Sequence, residues 1–171
     1  MEMNYCRRCG AKFKDKNNHI YKCSNNHTIY ANSSPAVAII LTNQNGDVVV
    51  TKRATEPKKG LLDLPGGYCD GPENLEDAIE RELQEELGLV VSQYTKPSYL
   101  CSYIDYYDYA DECLPFLSTI FTAQLTEEVA IKANDDVEDA YFVPVKEIAV
   151  EMFCFSNIQK AFNIYLNKLK D

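Results

Sequence analysis

The sequence predicts an α/β sandwich, a mixed sheet with helices packed on it, preceded by a small zinc-stapled segment. Three observations predict it. Strand-textured runs between residues 35 and 145 are interrupted by one stretch of helical periodicity and followed by a second. Cys6, Cys9, Cys23 and His27 fall in two tight pairs about fourteen residues apart. The charge also breaks. Residues 1–33 hold six Lys/Arg against two Asp/Glu, about +4, and the remainder holds eleven against 24, about −13. The expected division is therefore residues 1–33 and residues 34–171.

The elements follow in order. Residues 1–33 are polar, rich in Asn and poor in large aliphatics, so they cannot build a core unaided. "AVAIILT", "NQNGD" and "VVVTKR" read as two strands joined by an Asn-Gly turn. "EPKKGLLDLPGG" is a loop with a short extended piece at Leu61 to Leu64. A helix over 74–87 follows, capped by Asn74 or Glu73, with Leu75, Ala78, Ile79, Leu83 and Leu87 on one stripe and Gly88 as its stop. "LVVSQYT", "PSYLCSYIDYYDY", "CLPFLSTIFTAQLT" and "EDAYFVPV" have strand texture. "SNIQKAFNIYLNKL" places Ile158, Ala161, Phe162, Tyr165, Leu166 and Leu169 on a last helical stripe.

With 171 residues, 46% apolar and 25% charged, the chain has ordinary globular composition. Its longest apolar run, Pro35 to Leu41, is strand-sized, so no membrane partner is expected. "MEMNYCRRCG" lacks the apolar core of a signal peptide, and the seven cysteines are odd in number and scattered. A reduced, cytoplasmic setting is the simplest reading.

Function is concentrated in the helix over 74–87. Glu82, Glu85 and Glu86 stand at i, i+3 and i+4, where like charges destabilise a helix. A cation set against them removes that objection, and carboxylate oxygens suit Mg²⁺ or Mn²⁺. The pattern Gly67-x5-Glu73-x7-Arg81-Glu82-Leu83-x-Glu85-Glu86-x-Gly88-Leu89 resembles the Nudix box at every fixed position. The resemblance extends over about residues 34–150 and implies a Nudix α/β/α fold and metal-dependent hydrolysis of a pyrophosphate linked to a nucleoside. It implies Glu82, Glu85, Glu86 and the carbonyl of Gly66 as metal ligands, with Arg81 and Glu73 as a supporting ion pair. The catalytic base stays open between Glu82 and an acidic residue of "ANDDVEDAYF", where Asp135, Asp136 and Glu138 compete.

The N-terminal pairs suit a tetrahedral structural zinc held by Cys6, Cys9, Cys23 and His27, with His19 as the alternative fourth ligand. This stretch resembles the zinc ribbon that precedes the Nudix domain in the NADH pyrophosphatase and ADP-ribose pyrophosphatase group. Two departures mark it: the last ligand is His, and the "SQPWPFP" motif expected after the box is absent, so a preference for NADH does not transfer.

The expected substrate is a nucleoside diphosphate linked to another moiety, as in ADP-ribose, a dinucleotide or a nucleotide sugar. Tyr103, Tyr106, Tyr107 and Tyr109 are candidates for stacking on a base, and Arg53 and Lys52 for reaching phosphates. Cys69, Cys101, Cys113 and Cys154 are expected to pack as small hydrophobes. Two alternatives stand beside the hydrolase: a nucleotide sensor without catalysis, and an enzyme acting on an RNA cap or 5′ end. About +4 over the first 33 residues is modest for a nucleic-acid surface, so nucleic acid is an unlikely partner. Analogy with ribbon-bearing relatives implies a homodimer.

Overall fold

The computed structural model describes residues 4–109 and 112–170. Strands β1 (Phe13–Asn17), β2 (Ile20–Cys23) and β3 (Thr28–Tyr30) form a small antiparallel sheet. Its core is five buried residues: Cys6, Phe13, Tyr21, Cys23 and Ile29. Two of the five are candidate metal ligands, which agrees with the sequence's want of apolar mass.

The larger sheet contains β4 (Ser34–Thr42), β5 (Asp47–Arg53), β6 (Leu62–Asp63), β7 (Ser98–Tyr109), β8 (Glu112–Gln124) and β9 (Val137–Pro144). Its order is β6-β5-β4-β8-β7, with β9 paired to β5. β4 and β8 run parallel from Ser34↔Phe116 to Thr42↔Gln124, and the remaining pairs are antiparallel, so the sheet is mixed. Helix α1 (Leu75–Leu87) covers one face and α2 (Ser156–Lys168) the other. β4 serves both: Val37, Ile39 and Leu41 point toward α1, and Ala38 and Ile40 toward α2. A strand buried on both faces reads as an unbroken apolar run, which is why "AVAIILT" shows no alternation.

Two expectations change. β4 and β5 do join through the Asn-Gly turn, where Asn43 Oδ1 accepts from Asn45 N and Asp47 N at 2.9 Å each. They then diverge, pairing only at Thr42↔Val48. The segment from Pro65 to Cys69 fills the gap along β4, through Ile39 N–H to Pro65 O (2.9 Å), Val37 N–H to Gly67 O (2.8 Å) and Cys69 N–H to Pro35 O (3.1 Å). The split in the sheet thus fixes the loop that leads into α1. Secondly, "LVVSQYT" is not a strand. Val91–Gln93 form a 3₁₀ turn, and Val90 and Val91 stay exposed. The Gln93 side chain accepts from Val90 N–H at 2.9 Å, a local bond that wins over β propensity. No helix among the described residues is long and apolar enough to cross a membrane.

Candidate active site and metal centre

Helix α1 starts at Asn74, whose Oδ1 accepts from Asp77 N–H at 2.8 Å. It stops at Gly88, in the left-handed region at φ 70°, with Leu89 N–H reaching Leu83 O at 3.1 Å. Between these caps Ala78, Ile79, Leu83 and Leu87 are buried against the sheet. That anchoring fixes the rotation of the helix and so the direction of its glutamates.

Arg81 is the hub. Its Nε donates to both carboxylate oxygens of Glu73 (3.1 Å each), and Nη2 donates to Glu73 Oε1 (2.7 Å) and to Tyr68 O (2.8 Å). Its Nη1 donates to Glu82 Oε1 (2.7 Å) and Glu85 Oε2 (2.9 Å). The hydrogen-bonded guanidinium holds the Glu73 carboxyl below the usual range. Glu82 and Glu86 are buried while Glu85 is half-exposed. Glu86 Oε2 accepts from Gly66 N–H at 2.9 Å. Burial pushes the Glu86 carboxyl well above its usual range, against the Gly66 hydrogen bond, and the charges of Glu82, Asp136 and Asp63 push it further. Burial likewise raises Glu82, against its pairing with Arg81, and Glu85 and Asp136 add to the rise.

Asp136 arrives from a separate loop. Asn134 N–H donates to Glu86 O (2.9 Å), and Ala54 N–H donates to Asp136 O (2.8 Å), so the loop docks on the last turns of α1. Of the three acidic candidates in that loop, Glu138 instead pairs with Lys52 at 3.1 Å, and Asp135 adopts φ 54°. Asp136 and Glu86 line one small cavity with Gly66. Crowded, partly buried carboxylates answered by one arginine are chemically suited to a hard divalent cation. The Nudix resemblance implies a ligand role for the Gly66 carbonyl; the structure adds its N–H on Glu86.

In the small sheet, the ligand atoms of Cys6, Cys9, Cys23 and His27 all lie within 4.8 Å of one another. Cys9 Sγ and Cys23 Sγ are 3.9 Å apart, and Cys6 Sγ and His27 Nδ1 are 3.7 Å apart. A tetrahedron with arms of about 2.3 Å has edges of about 3.8 Å, so the set has the dimensions of a zinc site. A backbone hydrogen bond from Ala11, the largest cause, pulls the Cys9 thiol down to about 6, in the direction a thiolate ligand needs. Burial raises Cys6. His19 lies instead against the Tyr30 ring, at 6.2 Å.

The substrate candidates separate. Arg53 does not project freely: its Nη1 pairs with Asp63 at 3.1 Å and its guanidinium lies 5.2 Å from the Phe155 ring centre. Tyr107 lines a cavity beside the glutamates, Tyr106 faces solvent, and Lys160 lies over Tyr103. The side chain of Tyr109 falls outside the described residues. Tyr68, Phe116, Phe155 and Asn157, which sequence reasoning missed, line that same cavity. Cys101 is buried as expected, whereas Cys113 is exposed.

Comparison with known proteins agrees with this geometry. The model of the NUDIX domain matches residues 32–161. An ADP-ribose pyrophosphatase of Methanocaldococcus jannaschii is 26% identical over 140 residues, 78% of this chain and 76% of that protein. The crystal structure of a NUDIX hydrolase from Nitrosomonas europaea superposes with TM-score 0.71 at 20% identity, over 97% of this chain and 92% of that one. The NUDIX domain of Shewanella oneidensis NrtR, solved with ADP ribose, gives TM-score 0.65 at 22% identity, over 82% and 90%. Because the matched residues include the whole of α1 and the loops that crowd its carboxylates, the chain belongs to the Nudix family and is a Nudix hydrolase.

Proposed function

We propose that this hydrolase cleaves ADP-ribose or a near relative, with Glu82, Glu85, Glu86 and the Gly66 carbonyl holding Mg²⁺ or Mn²⁺. The observation that carries the reading is the crowding of buried Glu82 and Glu86 with Asp136 around Gly66 and Gly67, with an aromatic cavity lined by the same two glycines. A diphosphate laid over Gly66-Gly67 would meet the acidic site with its nucleoside end toward the aromatics. The relatives bearing ADP-ribose in their names support this choice among nucleoside diphosphate derivatives.

The metal would supply Lewis acidity, neutralise the diphosphate and lower the pKa of water. The protein's own groups do the rest. Glu73 fixes Arg81, and Arg81 fixes the carboxylates of Glu82 and Glu85, an indirect positioning role. Asp136 is the proton acceptor we assign for the attacking water. Its carboxylate is exposed and makes no hydrogen bond among the described residues, whereas the box carboxylates are held by Arg81 or Gly66. Residues 1–33 act as a separate zinc ribbon whose four protein ligands leave no open position, so its zinc is structural.

The test is a panel of ADP-ribose, NADH, diadenosine polyphosphates, nucleotide sugars and nucleoside triphosphates with Mg²⁺ or Mn²⁺, products resolved by chromatography. Cleavage of ADP-ribose to AMP and ribose 5-phosphate, lost in Glu85→Gln, is the expected result. Cleavage confined to another class would overturn the substrate. Silence across the panel with tight binding of one member would overturn hydrolysis in favour of sensing.

A further inference from the structure

The larger domain is acidic, yet one short run of it is basic. Four of the eleven Lys/Arg between residues 34 and 171 fall within residues 52–59. Two of the four are already answered: Lys52 pairs with Glu138 and Arg53 with Asp63, both at 3.1 Å. Lys58 and Lys59 are exposed and form no ion pair among the described residues, and the loop they share carries a single acid, Glu56. Hydrogen bonds place that loop on the rim of the aromatic cavity. Arg53, which lines the cavity, donates from Nε to Pro57 O at 3.0 Å, and Tyr107, which lines it too, donates to Glu56 O at 3.5 Å. Gly60 N–H closes the loop on Arg53 O at 2.8 Å. Lys58 is held at φ 69°, in the left-handed region that a side chain like lysine's seldom adopts. With Nε and Nη1 engaged, Arg53 Nη2 has no acceptor among the described residues, on a side chain only 15% exposed. Guanidinium donors shielded from water are seldom left without an acceptor, and three cations on one rim suit a phosphate.

We propose that this rim binds a phosphomonoester carried on the ribose of the substrate's adenosine, so that the preferred substrate is a 2′- or 3′-phosphorylated ADP-ribose. The inference rests on the proposed ADP-ribose reading, in which the diphosphate lies over Gly66-Gly67 and the metal meets its charge. The nucleoside end of ADP-ribose itself carries no anion and would leave Lys58, Lys59 and the open edge of Arg53 unanswered. A phosphate on the 2′ or 3′ oxygen sets a charge of about −1.5 to −2 at that end.

The experiment is calorimetric binding of AMP, adenosine 2′,5′-bisphosphate and adenosine 3′,5′-bisphosphate to the full-length protein with Mg²⁺. It is run on the wild type, on the double variant Lys58→Asn, Lys59→Gln, and on the double variant Lys58→Arg, Lys59→Arg. Asparagine tolerates a left-handed φ, so the neutral variant keeps the loop. In the wild type one bisphosphate should bind roughly tenfold more tightly than AMP, and the isomer that does so names the ribose oxygen. The preference should weaken with added salt, fall to about twofold or less in the neutral variant, and return in the arginine variant. Equal wild-type affinities, no binding of any of the three, or a preference that survives neutralisation of both lysines would overturn the inference. So would an equal loss of AMP and bisphosphate affinity in the neutral variant, which would put the lysines on the shared 5′-phosphate. Hydrolysis is scored separately. If neither ADP-ribose nor its phosphorylated forms are cleaved while the preference behaves as expected, the ADP-ribose reading falls and the phosphate site stands. If ADP-ribose is cleaved and the added phosphate brings no gain in kcat/KM, the inference falls and the ADP-ribose reading stands.

Discussion

Gly66 and Gly67 are adjacent in sequence, and replacing each by alanine should damage different properties. A Cβ on Gly66 would overlap the Val37 carbonyl oxygen and stand 2.7 Å from Ala38 Cα, both backbone atoms, at φ +142°. Restoring 3.4 Å at Ala38 alone asks β4 and the 65–69 segment to separate by about 0.7 Å. The bonds Val37 N–H to Gly67 O and Ile39 N–H to Pro65 O flank that point. Losing both removes about 2 kcal/mol. The strained φ adds about 1–3 kcal/mol. The sum, about 3–5 kcal/mol, should lower Tm by roughly 6–20 °C for a chain of this size. A Cβ on Gly67 instead meets Glu82 Oε1 at 2.5 Å and Cδ at 2.8 Å, the far end of a flexible side chain. Glu82 would swing aside, leaving stability within about 1 kcal/mol. The displaced carboxylate would reduce ADP-ribose hydrolysis by roughly 10- to 100-fold. Thermal denaturation and a hydrolysis assay on both variants decide the matter. If Gly66→Ala melts within about 2 °C of wild type, or Gly67→Ala keeps full activity, the assigned contacts are wrong.

Three further outcomes are expected. Glu85→Gln, at a half-exposed position, should reduce turnover by roughly 100-fold or more with an unchanged circular dichroism spectrum; near-full activity at saturating Mg²⁺ would remove Glu85 from the ligand set. Elemental analysis should find about one zinc per chain, and Cys23→Ser, at a fully buried sulfur, should unfold residues 1–33 before the larger domain, as mapped by proteolysis. Glu86 binds its proton more tightly folded than unfolded, so its ionisation costs stability as pH rises above 4.5; in chelator, Tm should fall as pH rises above that value, Mg²⁺ should restore it mainly at the alkaline end, and Glu86→Gln should flatten both trends.

The legible parts of this protein are those whose chemistry is local. Asn74, the apolar stripe and Gly88 define α1 within fifteen residues, so the helix and the rotation of its glutamates follow from sequence alone. The cysteine and histidine pairs are local in the same way, because each sits in a tight turn. The aromatic cavity is not. Tyr68, Tyr107, Phe116, Phe155 and Asn157 come from a loop, two strands, a turn and a helix, and no spacing links them. Tyr107 was visible as one tyrosine among several in β7; only the alternation of the strand and the packing of Phe155 decide that it, and not Tyr106, turns inward. "LVVSQYT" failed for a related reason, since a strand needs a partner and the Gln93 side chain captured its backbone first.

The same distinction explains why the acidic cluster can exist before any cation arrives. Arg81 binds Glu73, Glu82 and Glu85 through short hydrogen bonds, so those like charges are answered by one guanidinium fixed on its own helix. Nothing comparable reaches Glu86 or Asp136 among the described residues: Glu86 has a single backbone N–H, and Asp136 has no hydrogen bond to its carboxylate. The unanswered negative charge therefore lies on the side of the helix facing Gly66 and the 134–136 loop. Asn134 N–H satisfies the carbonyl of Glu86 and Ala54 N–H that of Asp136, so the bonds that dock the loop on the last turn of the helix also bring in the second carboxylate. A cation bound as proposed would meet this unanswered charge where Glu86 and Asp136 line one cavity with Gly66.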